Sequence, residues 1–385
     1  AEGAYMTDED GHRYIDLIGS WGPMIVGHAH PDVISAIQKT ATTGTSFGAP
    51  TKAEVIFAEE LCAAHPTLDM VRLCSSGTEA TMHAIRLARG FTNRDVIVKI
   101  DGCYHGAHDS VLVEAGSGVA TFAKPGSAGI PSSVAELTRT APFNDLTVVE
   151  QHLQSLEVAA VILEAVPGNM GCIVPSSAYL SGLSSLCKKY GALLIVDEVM
   201  TGFRLARGGA CERLDIDADL VTLGKIVGGG MPIGAYGGRV DIMDHVLPAG
   251  KVFQAGTLSG NPIACAAGSA TLRELRDHSP YQRLETLSQK LATGLQEAAD
   301  AAKQVCCVQR VGSMMTLFFN SGPVRCWEDA SASDTESFGR YFWGLIDKGV
   351  YMPCSQYEAL FVSAAHSEDD IQATLDAATT VLADL

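Results

Sequence analysis

The sequence lacks any long hydrophobic run, since its 385 residues contain no stretch of 18 or more uncharged apolar residues. We therefore expect no membrane-spanning helix. Basic residues are also scarce, with 27 Lys and Arg against 44 Asp and Glu and a formal net charge of −17. This balance excludes a general nucleic-acid-binding surface, because phosphate contacts need clustered Lys and Arg. It leaves open a local cationic pocket for a small anionic substrate.

Paired cysteine motifs are absent as well. The eleven cysteines are an odd number and none forms Cys-x-x-Cys, so neither a disulfide framework nor a zinc ribbon is expected. Cys74, Cys103, Cys187 and Cys265 lie in apolar contexts and are interpreted as small core residues. The N-terminus has no basic flank followed by an apolar stretch, which argues against a signal or transit peptide within this chain. We expect a cytoplasmic protein, or one of the plastid stroma if a transit peptide was removed.

Two nucleotide-binding motifs are missing. The phosphate loop Gly-x-x-x-x-Gly-Lys-Ser/Thr does not occur in the chain. Gly116-x-Gly118 is followed by Thr121 where the dinucleotide fingerprint needs glycine. Binding of a nucleotide through either motif is therefore not expected.

Short apolar runs dominate the middle of the chain. They are rich in Val, Ile and Leu and do not alternate with polar residues, which is typical of strands buried on both faces of a mainly parallel sheet. These runs are residues 70–74, 95–100, 158–165, 192–199 and 219–224. Helical patterns lie between them at 78–90, with Gly90 as the predicted stop, and at 176–191. Alternating strands and helices predict an α/β fold.

The last third of the chain changes character. Its predicted elements are a long helix at 279–303, strands at 313–320 and 359–365, and a closing helix at 367–385. The closing helix begins with a Ser-x-x-Asp signal that resembles a capping box. We predict a large domain at 45–270 and a smaller domain formed by 1–44 and 271–385.

Three positions carry candidate chemistry. The first is "CSSGTEA" (74–80), where Ser76, Gly77 and Thr78 join a strand to a helix. Unpaired N–H groups at a helix start favour a phosphate, although a plain helix cap would use the same residue types. The other two, Asp197 and Lys225, each lie at the carboxyl end of an apolar strand, which faces the ligand crevice in such sheets.

Each of these charged residues has an ordinary explanation too. A strand-end carboxylate such as Asp197 could pair with a lysine or arginine, and a lysine before glycines such as Lys225 could lie in a solvated turn. Together with the 76–78 cradle, however, they suit pyridoxal 5′-phosphate. The cradle takes the phosphate, Asp197 the ring nitrogen and Lys225 the aldehyde. Tyr104 could stack on the ring, or else be a core residue.

At this point the chain resembles the class III pyridoxal-phosphate-dependent aminotransferases of fold type I. Within that family it is more narrowly similar to the glutamate-1-semialdehyde 2,1-aminomutases. The matching segments are "GSWGPMIVGHAHP" (19–31), "SSGTEATMHAIRLARG" (75–90), "GCYHG" (102–106), "AGSGVATF" (115–122), "GNMG" (168–171), "DEVMTGFR" (197–204), "LGKIVGGGMPIGAYGG" (223–238), "QAGTLSGNP" (254–262) and "SQYEALFVSAAH" (355–366). The lysine and aspartate motifs belong to the wider family. The runs at 19–31, 115–122 and 254–262 are more specific to the aminomutases.

The resemblance implies a seven-stranded, mainly parallel sheet in the large domain, a smaller α+β domain from both chain ends, and a role for each matching residue. Lys225 would bind the cofactor covalently and move protons, with Asp197 and Tyr104 as its catalytic partners. The implied cofactor-binding residues are Ser76, Gly77, Thr78, Tyr104, His105, Asn169, Asp197, Val199, Lys225, Gly256 and Thr257. The implied substrate-binding residues are Trp21, Ser117 and Glu358, with Asn169 also facing the substrate. No metal is implied.

The implied reaction moves an amino group from C2 to C1 of glutamate-1-semialdehyde, giving 5-aminolevulinate, with the pyridoxamine form of the cofactor arising in the cycle. Gly256 and Thr257 would reach the phosphate site of a neighbouring subunit, which implies a homodimer with shared sites. An encounter with glutamyl-tRNA reductase is implied as well. The alternatives are a class III aminotransferase for an ω- or β-amino acid with a keto acid acceptor, and a non-catalytic binding protein.

A glycine- and proline-rich segment, 115–131, has no helical or strand period. Such a loop is either functional or a surface loop without a role, and the resemblance implies that 107–131 gates the site. Here the chain departs from the family, which usually has Tyr-His-Gly-His where this sequence has "YHGAHD" (104–109). The family also has an arginine-bearing segment that would precede Ala1, and we expect that arginine to help hold the substrate carboxylate.

Overall fold

The computed structural model describes residues 1–114 and 124–385. The strands in these residues are β1 (Tyr5–Thr7), β2 (Arg13–Asp16), β3 (Met70–Cys74), β4 (Val96–Ile100), β5 (Val113–Glu114), β6 (Lys124–Pro125), β7 (Thr138–Ala141), β8 (Val158–Leu163), β9 (Leu193–Asp197), β10 (Leu220–Leu223), β11 (Gly234–Gly238), β12 (Cys307–Val311), β13 (Met314–Phe318), β14 (Val350–Tyr351) and β15 (Leu360–Phe361).

The helices of the same residues complete the element order. They are α1 (Pro31–Ala41), α2 (Lys52–Ala64), α3 (Gly77–Thr92), α4 (Ser132–Ala135), α5 (Leu146–Leu153), α6 (Tyr179–Tyr190), α7 (Gly209–Arg213), α8 (Val240–Met243), α9 (Pro262–Asp277), α10 (Tyr281–Ala301), α11 (Trp327–Ser331), α12 (Thr335–Asp347) and α13 (Glu368–Ala383), with a short 3-10 turn at Lys225–Gly228. The α/β class predicted from the alternating pattern is confirmed. None of the helices in the described ranges is long and apolar enough to cross a membrane.

The largest sheet of the described residues has seven strands in the order β3-β11-β10-β9-β8-β4-β7. Strand β11 runs antiparallel to both β3 and β10, whereas the other neighbouring pairs are parallel. All strands except β11 therefore point the same way, and the predicted mainly parallel, seven-stranded sheet is confirmed. Strands β8 and β9 are buried along their whole length, as expected for strands covered on both faces.

Two sequence predictions about local structure were wrong. Helix α3 does not stop at Gly90 but runs to Thr92, and Asn93 ends it in the left-handed conformation with φ of 53°. The reason for Gly90 is packing, since a Cβ there would lie 2.6 Å from Cγ2 of Val252. Segment 115–131 was expected to lack a strand, yet β6 pairs antiparallel with β5.

The chain divides into two units. The larger unit comprises Ala36–Ala165 and Pro175–Leu272, and the smaller comprises Ala1–Ser35, Val166–Val174 and Arg273–Leu385. These bounds differ from the expected domains at 36–44, at 166–174 and at 271–272. The second difference has a local cause, because the 166–174 segment is hydrogen-bonded within the smaller unit.

The hydrogen bonds of that segment are specific. Gly171 N–H donates to the carbonyl of Tyr357 over 2.7 Å, and Cys172 N–H donates to Oγ1 of Thr316 over 2.9 Å. The smaller unit also contains the sheets β1-β2-β14 and β12-β13-β15. In its last helix, α13, Ser367 and Asp370 form the predicted capping box.

The core of the larger unit packs α3 against the seven-stranded sheet. Its buried members include Ile85, Ile97, Ile162 and Ile195 from four different elements. The predicted core cysteines Cys74, Cys103, Cys187 and Cys265 are all buried, and each of the eleven cysteines is a free thiol. This core fixes the strands whose ends carry the candidate chemistry.

Candidate functional site at the carboxyl edge of the sheet

One edge of the seven-stranded sheet collects the candidate residues. Because β3, β10, β9, β8 and β4 are mutually parallel, their carboxyl ends lie at the same edge. This edge carries Ser76 after β3, Lys225 after β10, Asp197 at the end of β9, and Tyr104 and His105 after β4. In open α/β sheets this is the edge at which ligands bind.

Asp197 is a buried carboxylate, 2% exposed, with three hydrogen-bond donors around it. Its Oδ2 lies 2.7 Å from Nδ1 of His105. Its Oδ1 accepts from the Val199 N–H over 3.0 Å and from Oγ1 of Thr222 over 2.9 Å. A buried carboxylate needs such partners to offset the loss of its hydration, and their directions fix its orientation.

His105, which contacts Asp197, is also buried. Burial lowers its pKa, and the hydrogen bond with Asp197 opposes that shift. The neutral ring therefore donates from Nδ1 to the carboxylate, and its Nε2 is a buried acceptor with no hydrogen-bond partner among the described residues. The carbonyl of His105 accepts from Oγ1 of Thr81 over 2.6 Å. The structure thus gives His105 a position next to Asp197, so that it orients the carboxylate.

The start of α3 forms the predicted cradle. Ser76 caps the helix, and its Oγ accepts from the Glu79 N–H over 3.1 Å. The first N–H groups of a helix have no carbonyl partner inside it and attract anions. Gly77 leaves room there, since a Cβ on it would lie 2.9 Å from Cγ1 of Val199. The cap is confirmed, whereas phosphate binding stays a prediction; the two are compatible, because the cap and an anion would use different N–H donors.

Val199 lies between two glycines of this edge. A Cβ on Gly224 would lie 3.2 Å from the same Cγ1 of Val199, and 3.5 Å from Cα of Gly77. The half-buried valine therefore contacts both the cradle and the residue that precedes Lys225. A flat ring packed on this valine would therefore lie close to the start of α3 and to Lys225.

Lys225 itself is half-buried and has a φ of 47°. A non-glycine residue in this left-handed region costs of order 1–3 kcal/mol and is typical of functional sites. The glycines after Lys225 allow a close approach to α9. Gly229, with φ of 56°, lies where a Cβ would come within 2.6 Å of the Ala267 carbonyl of α9. Only glycine allows both that conformation and that close approach.

Tyr104 is 47% exposed, so its alternative interpretation as a core residue is wrong. Its backbone N–H donates to Oε2 of Glu164 over 3.1 Å. Next to it, Gly106 lies against the cradle, since a Cβ there would be 2.5 Å from Oγ1 of Thr78. Thr78 also accepts from the Ala107 N–H over 3.3 Å. Residues 104–107 are therefore tied to the start of α3.

Gly256 and Thr257 are both exposed in the larger unit. Their segment is anchored by Arg72, whose Nε donates to Oε1 of Gln254 over 2.7 Å. Gly256 lines a groove of about 690 Å³ whose wall includes Val55 and Met70.

The remaining predicted site residues either belong to the smaller unit or lie outside the residues that the structure describes. Asn169 and Glu358 are on neighbouring segments, because Ala359 N–H donates to the Gly168 carbonyl over 3.2 Å. Trp21 is exposed, with φ of 62°, in the turn after β2. Ser117 falls outside the described residues.

Sequence reasoning missed four residues that support the site. Thr222 and Thr81 are buried threonines that hold Asp197 and His105. Glu164 follows β8 directly, and a charged residue inside the predicted apolar run 158–165 was a signal for it. Buried Glu198 accepts from the N–H groups of Ala210 and Cys211, each over 2.8 Å, and lies one residue after Asp197.

The arrangement can hold a phosphorylated aromatic aldehyde. The α3 start suits a phosphate, Val199 suits a ring face, the Asp197 carboxylate suits a protonated ring nitrogen, and the Lys225 amine suits the aldehyde. The chemistry of these groups makes the fit, and Val199 packs so closely on Gly77 and Gly224 that a Cβ on either glycine would displace it.

Comparisons with known proteins agree with this geometry. The sequence model of the family "Aminotransferase class-III" matches residues 1–377. A curated glutamate-1-semialdehyde 2,1-aminomutase from Rhodopirellula baltica is 57% identical over 389 residues, covering 100% of this chain and 88% of the relative.

Two solved structures are similar as well. An omega-transaminase from Sphaerobacter thermophilus has a TM-score of 0.94 at 32% identity, covering 100% of this chain and 90% of that one. A glutamate-1-semialdehyde-aminomutase from Pseudomonas aeruginosa in complex with PMP has a TM-score of 0.92 at 26% identity, with 100% and 87% covered.

Proposed function

Because the chain belongs to the aminotransferase class-III family, we propose that it is a pyridoxal-5′-phosphate-dependent glutamate-1-semialdehyde 2,1-aminomutase. It converts glutamate-1-semialdehyde to 5-aminolevulinate, the reaction of tetrapyrrole synthesis. The observation that carries this proposal is the 57% identity to a curated aminomutase along the whole chain. The fold alone does not decide between activities, since an omega-transaminase structure is equally similar in shape.

The cofactor, when bound, supplies an aldehyde that links to amines and a ring that withdraws electrons from the adjacent carbon. The chain's own residues bind and orient it. Ser76, Gly77 and Thr78 hold the phosphate at the positive end of α3. Asp197, fixed by His105 and Thr222, accepts a hydrogen bond from the ring nitrogen and keeps it protonated.

Lys225 has two tasks in this proposal. Its amine anchors the cofactor, and when displaced by substrate it carries protons between neighbouring carbons as base and then acid. Its position after β10, next to the strand that ends at Asp197, suits both tasks. Val199 and Tyr104 would contact opposite faces of the ring, and the exposure of Tyr104 leaves its side chain available for stacking.

The substrate-facing residues stay proposals drawn from the resemblance. Trp21, Asn169 and Glu358 are assigned to substrate binding, with Ser117 as a fourth. An aminomutase must retain its doubly aminated intermediate until the second transfer, whereas an aminotransferase releases its first product. We therefore assign the gating role to residues 107–131.

We propose a homodimer in which Gly256 and Thr257 reach the phosphate of the partner's site. Phe253 and Leu258 on the same segment are 63% and 55% exposed, and the groove beside them is lined by the exposed Val55 and Met70. Exposed apolar residues around a groove are typical of an interface. Size measurement of Phe253→Asp checks this, since the variant should be monomeric and bind the cofactor weakly.

Two further assignments rest on the resemblance. We propose the cytoplasm as the compartment, which eleven free thiols suit. We also propose an encounter with glutamyl-tRNA reductase, because a reactive aldehyde benefits from short transfer between enzymes. Cross-linking of the two purified proteins tests the encounter, and no cross-link above that of an unrelated control protein counts against it.

The second candidate is an aminotransferase for an ω- or β-amino acid, which the TM-score of 0.94 to an omega-transaminase favours. The two are separated by their need for an acceptor. The aminotransferase requires a keto acid and shows ping-pong kinetics with two substrates. The aminomutase turns over glutamate-1-semialdehyde without one, so dependence on added keto acid would reject our proposal.

A further inference from the structure

Four potential metal ligands occur in the smaller unit, and none of them belongs to the proposed cofactor site. His30 directly precedes α1 and Asp32 lies in its first turn. Glu274 lies in the last turn of α9, and His278 follows it by four residues. Residues four apart in a helix project from the same face, so Glu274 and His278 offer two donor atoms side by side.

Three of the donor atoms lie close to one another, and the fourth, from His278, lies next to that of Glu274. Oε2 of Glu274 lies 3.8 Å from Nε2 of His30 and 3.4 Å from Nε2 of His278. One donor atom each from His30, Asp32 and Glu274 lie within 4.8 Å of one another. Zinc bonds of about 2.0–2.2 Å in a tetrahedron place neighbouring ligand atoms roughly 3.4 Å apart. The two measured distances to Glu274 are close to this spacing.

The surroundings also suit a cation. A cavity of about 370 Å³ is lined by His28, His30, Glu274 and His278 and, among the described residues, by no lysine or arginine. The chain as a whole carries a formal charge of −17. Imidazole nitrogens with carboxylate oxygens select zinc and similar first-row ions over magnesium or calcium.

A second group of ligand-type residues is not proposed as a metal site, because its carboxylate already accepts hydrogen bonds. His65, Glu198 and Cys211 are buried together. However, both oxygens of Glu198 already accept hydrogen bonds, from the N–H groups of Ala210 and Cys211, and His65 lies 3.3 Å from one of them. These donors occupy the carboxylate, whereas the contacts of Glu274 are with two other ligand-type side chains.

We propose that His30, Asp32 and Glu274, with His278 as a fourth ligand, bind one divalent zinc-class ion. The ion would tie residues 30–32 to the carboxyl end of α9. The site is separate from the proposed cofactor chemistry and does not depend on it. Binding to the folded protein alone raises the midpoint of thermal unfolding by mass action.

The test is a titration of the cofactor-loaded protein with ZnCl₂ in a non-chelating buffer, followed by calorimetry and thermal unfolding. We expect one saturable site per chain and a rising midpoint. His278→Gln and Glu274→Gln should each weaken zinc binding at least about tenfold, as loss of metal-site groups does. The side chain of His278 is 73% exposed, so its replacement leaves the core intact.

A matched control is available in the same unit. His12 and Asp8 are another i,i+4 pair of histidine and carboxylate, 3.1 Å apart and exposed. His12→Gln should leave zinc binding unchanged, because no further ligand completes that pair within the described residues. The exposed Cys354 is a competing thiol. No saturable binding, equal loss in His12→Gln, or loss of the site in Cys354→Ser would each overturn the proposal.

Discussion

Thr222→Val tests how firmly the Asp197 carboxylate must be held. Thr222 is fully buried, and its hydroxyl donates to Oδ1 of Asp197 over 2.9 Å. Hydrogen bonds to charged groups contribute about 1.5–3 kcal/mol, and valine restores roughly 0.8 kcal/mol of apolar burial through its extra methyl group. We therefore expect the free energy of unfolding of the cofactor-free protein to fall by ~1–2 kcal/mol.

The effect on the cofactor should be separate from this loss. The N–H of Val199 and the ring of His105 still hold Asp197 in the variant, so the site persists but the carboxylate is less well fixed. A loss of 1.4 kcal/mol is tenfold in affinity, and we expect the Kd for pyridoxal 5′-phosphate to rise about that much. Urea unfolding and a fluorescence titration of cofactor-free protein measure the two quantities.

The control for this prediction is Thr374→Val. Thr374 is also buried, but its hydroxyl donates to the Asp370 carbonyl over 2.8 Å inside α13. It should lose stability without any change in cofactor Kd. If Thr222→Val binds the cofactor as tightly as the unchanged protein, the role we give to the Asp197 hydrogen bonds is wrong.

Three more predictions concern other parts of the account. Lys225→Ala should abolish turnover yet retain the cofactor through its phosphate contacts, as absorbance after gel filtration reports; steady-state turnover by this variant would refute the role. Burial, with His105 and Arg89 nearby, lowers the pKa of His108 in the folded protein from 6.5 to about 4. As the pH drops from about 6.5 to 4, His108 therefore gains a proton in the unfolded state but not in the folded state, and the free energy of unfolding falls. His108→Gln should remove up to ~3 kcal/mol of that fall in urea unfolding, and identical pH profiles would contradict this. Gly234→Ala places a Cβ 2.1 Å from the Ser76 carbonyl oxygen and should weaken cofactor binding. Its control is Gly339→Ala, which has open space around it and should stabilise α12 by up to about 1 kcal/mol without changing cofactor affinity. Equal cofactor affinity in the two variants would contradict phosphate binding at residues 76–78.

The sequence predicted the parts of the site that periodicity and strand ends reveal. Asp197 and Lys225 follow runs of buried residues, so their edge of the sheet could be derived from the parallel pattern alone. The contacts behind them could not. Thr222 is one residue in a buried strand with no distinguishing spacing, and its partner is set by the register that aligns it with Asp197.

Glycines show the same division. Gly229, which follows Lys225 by four residues, lies so close to α9 that it has no room for a Cβ. The sequence predicts a helix stop at Gly90, but tertiary packing against Val252 explains this glycine instead. A glycine in a sequence signals a missing side chain, while the structure tells whether conformation or a neighbour requires it.

Conversion of glutamate-1-semialdehyde as the sole substrate tests the central claim most directly. The enzyme, loaded with the pyridoxamine form of the cofactor and freed of any other amine or keto acid, is mixed with glutamate-1-semialdehyde in excess. We predict many turnovers to 5-aminolevulinate, one product molecule per substrate molecule consumed. Product formation that stops after one equivalent per site, or that needs an added amino acceptor, would contradict the account.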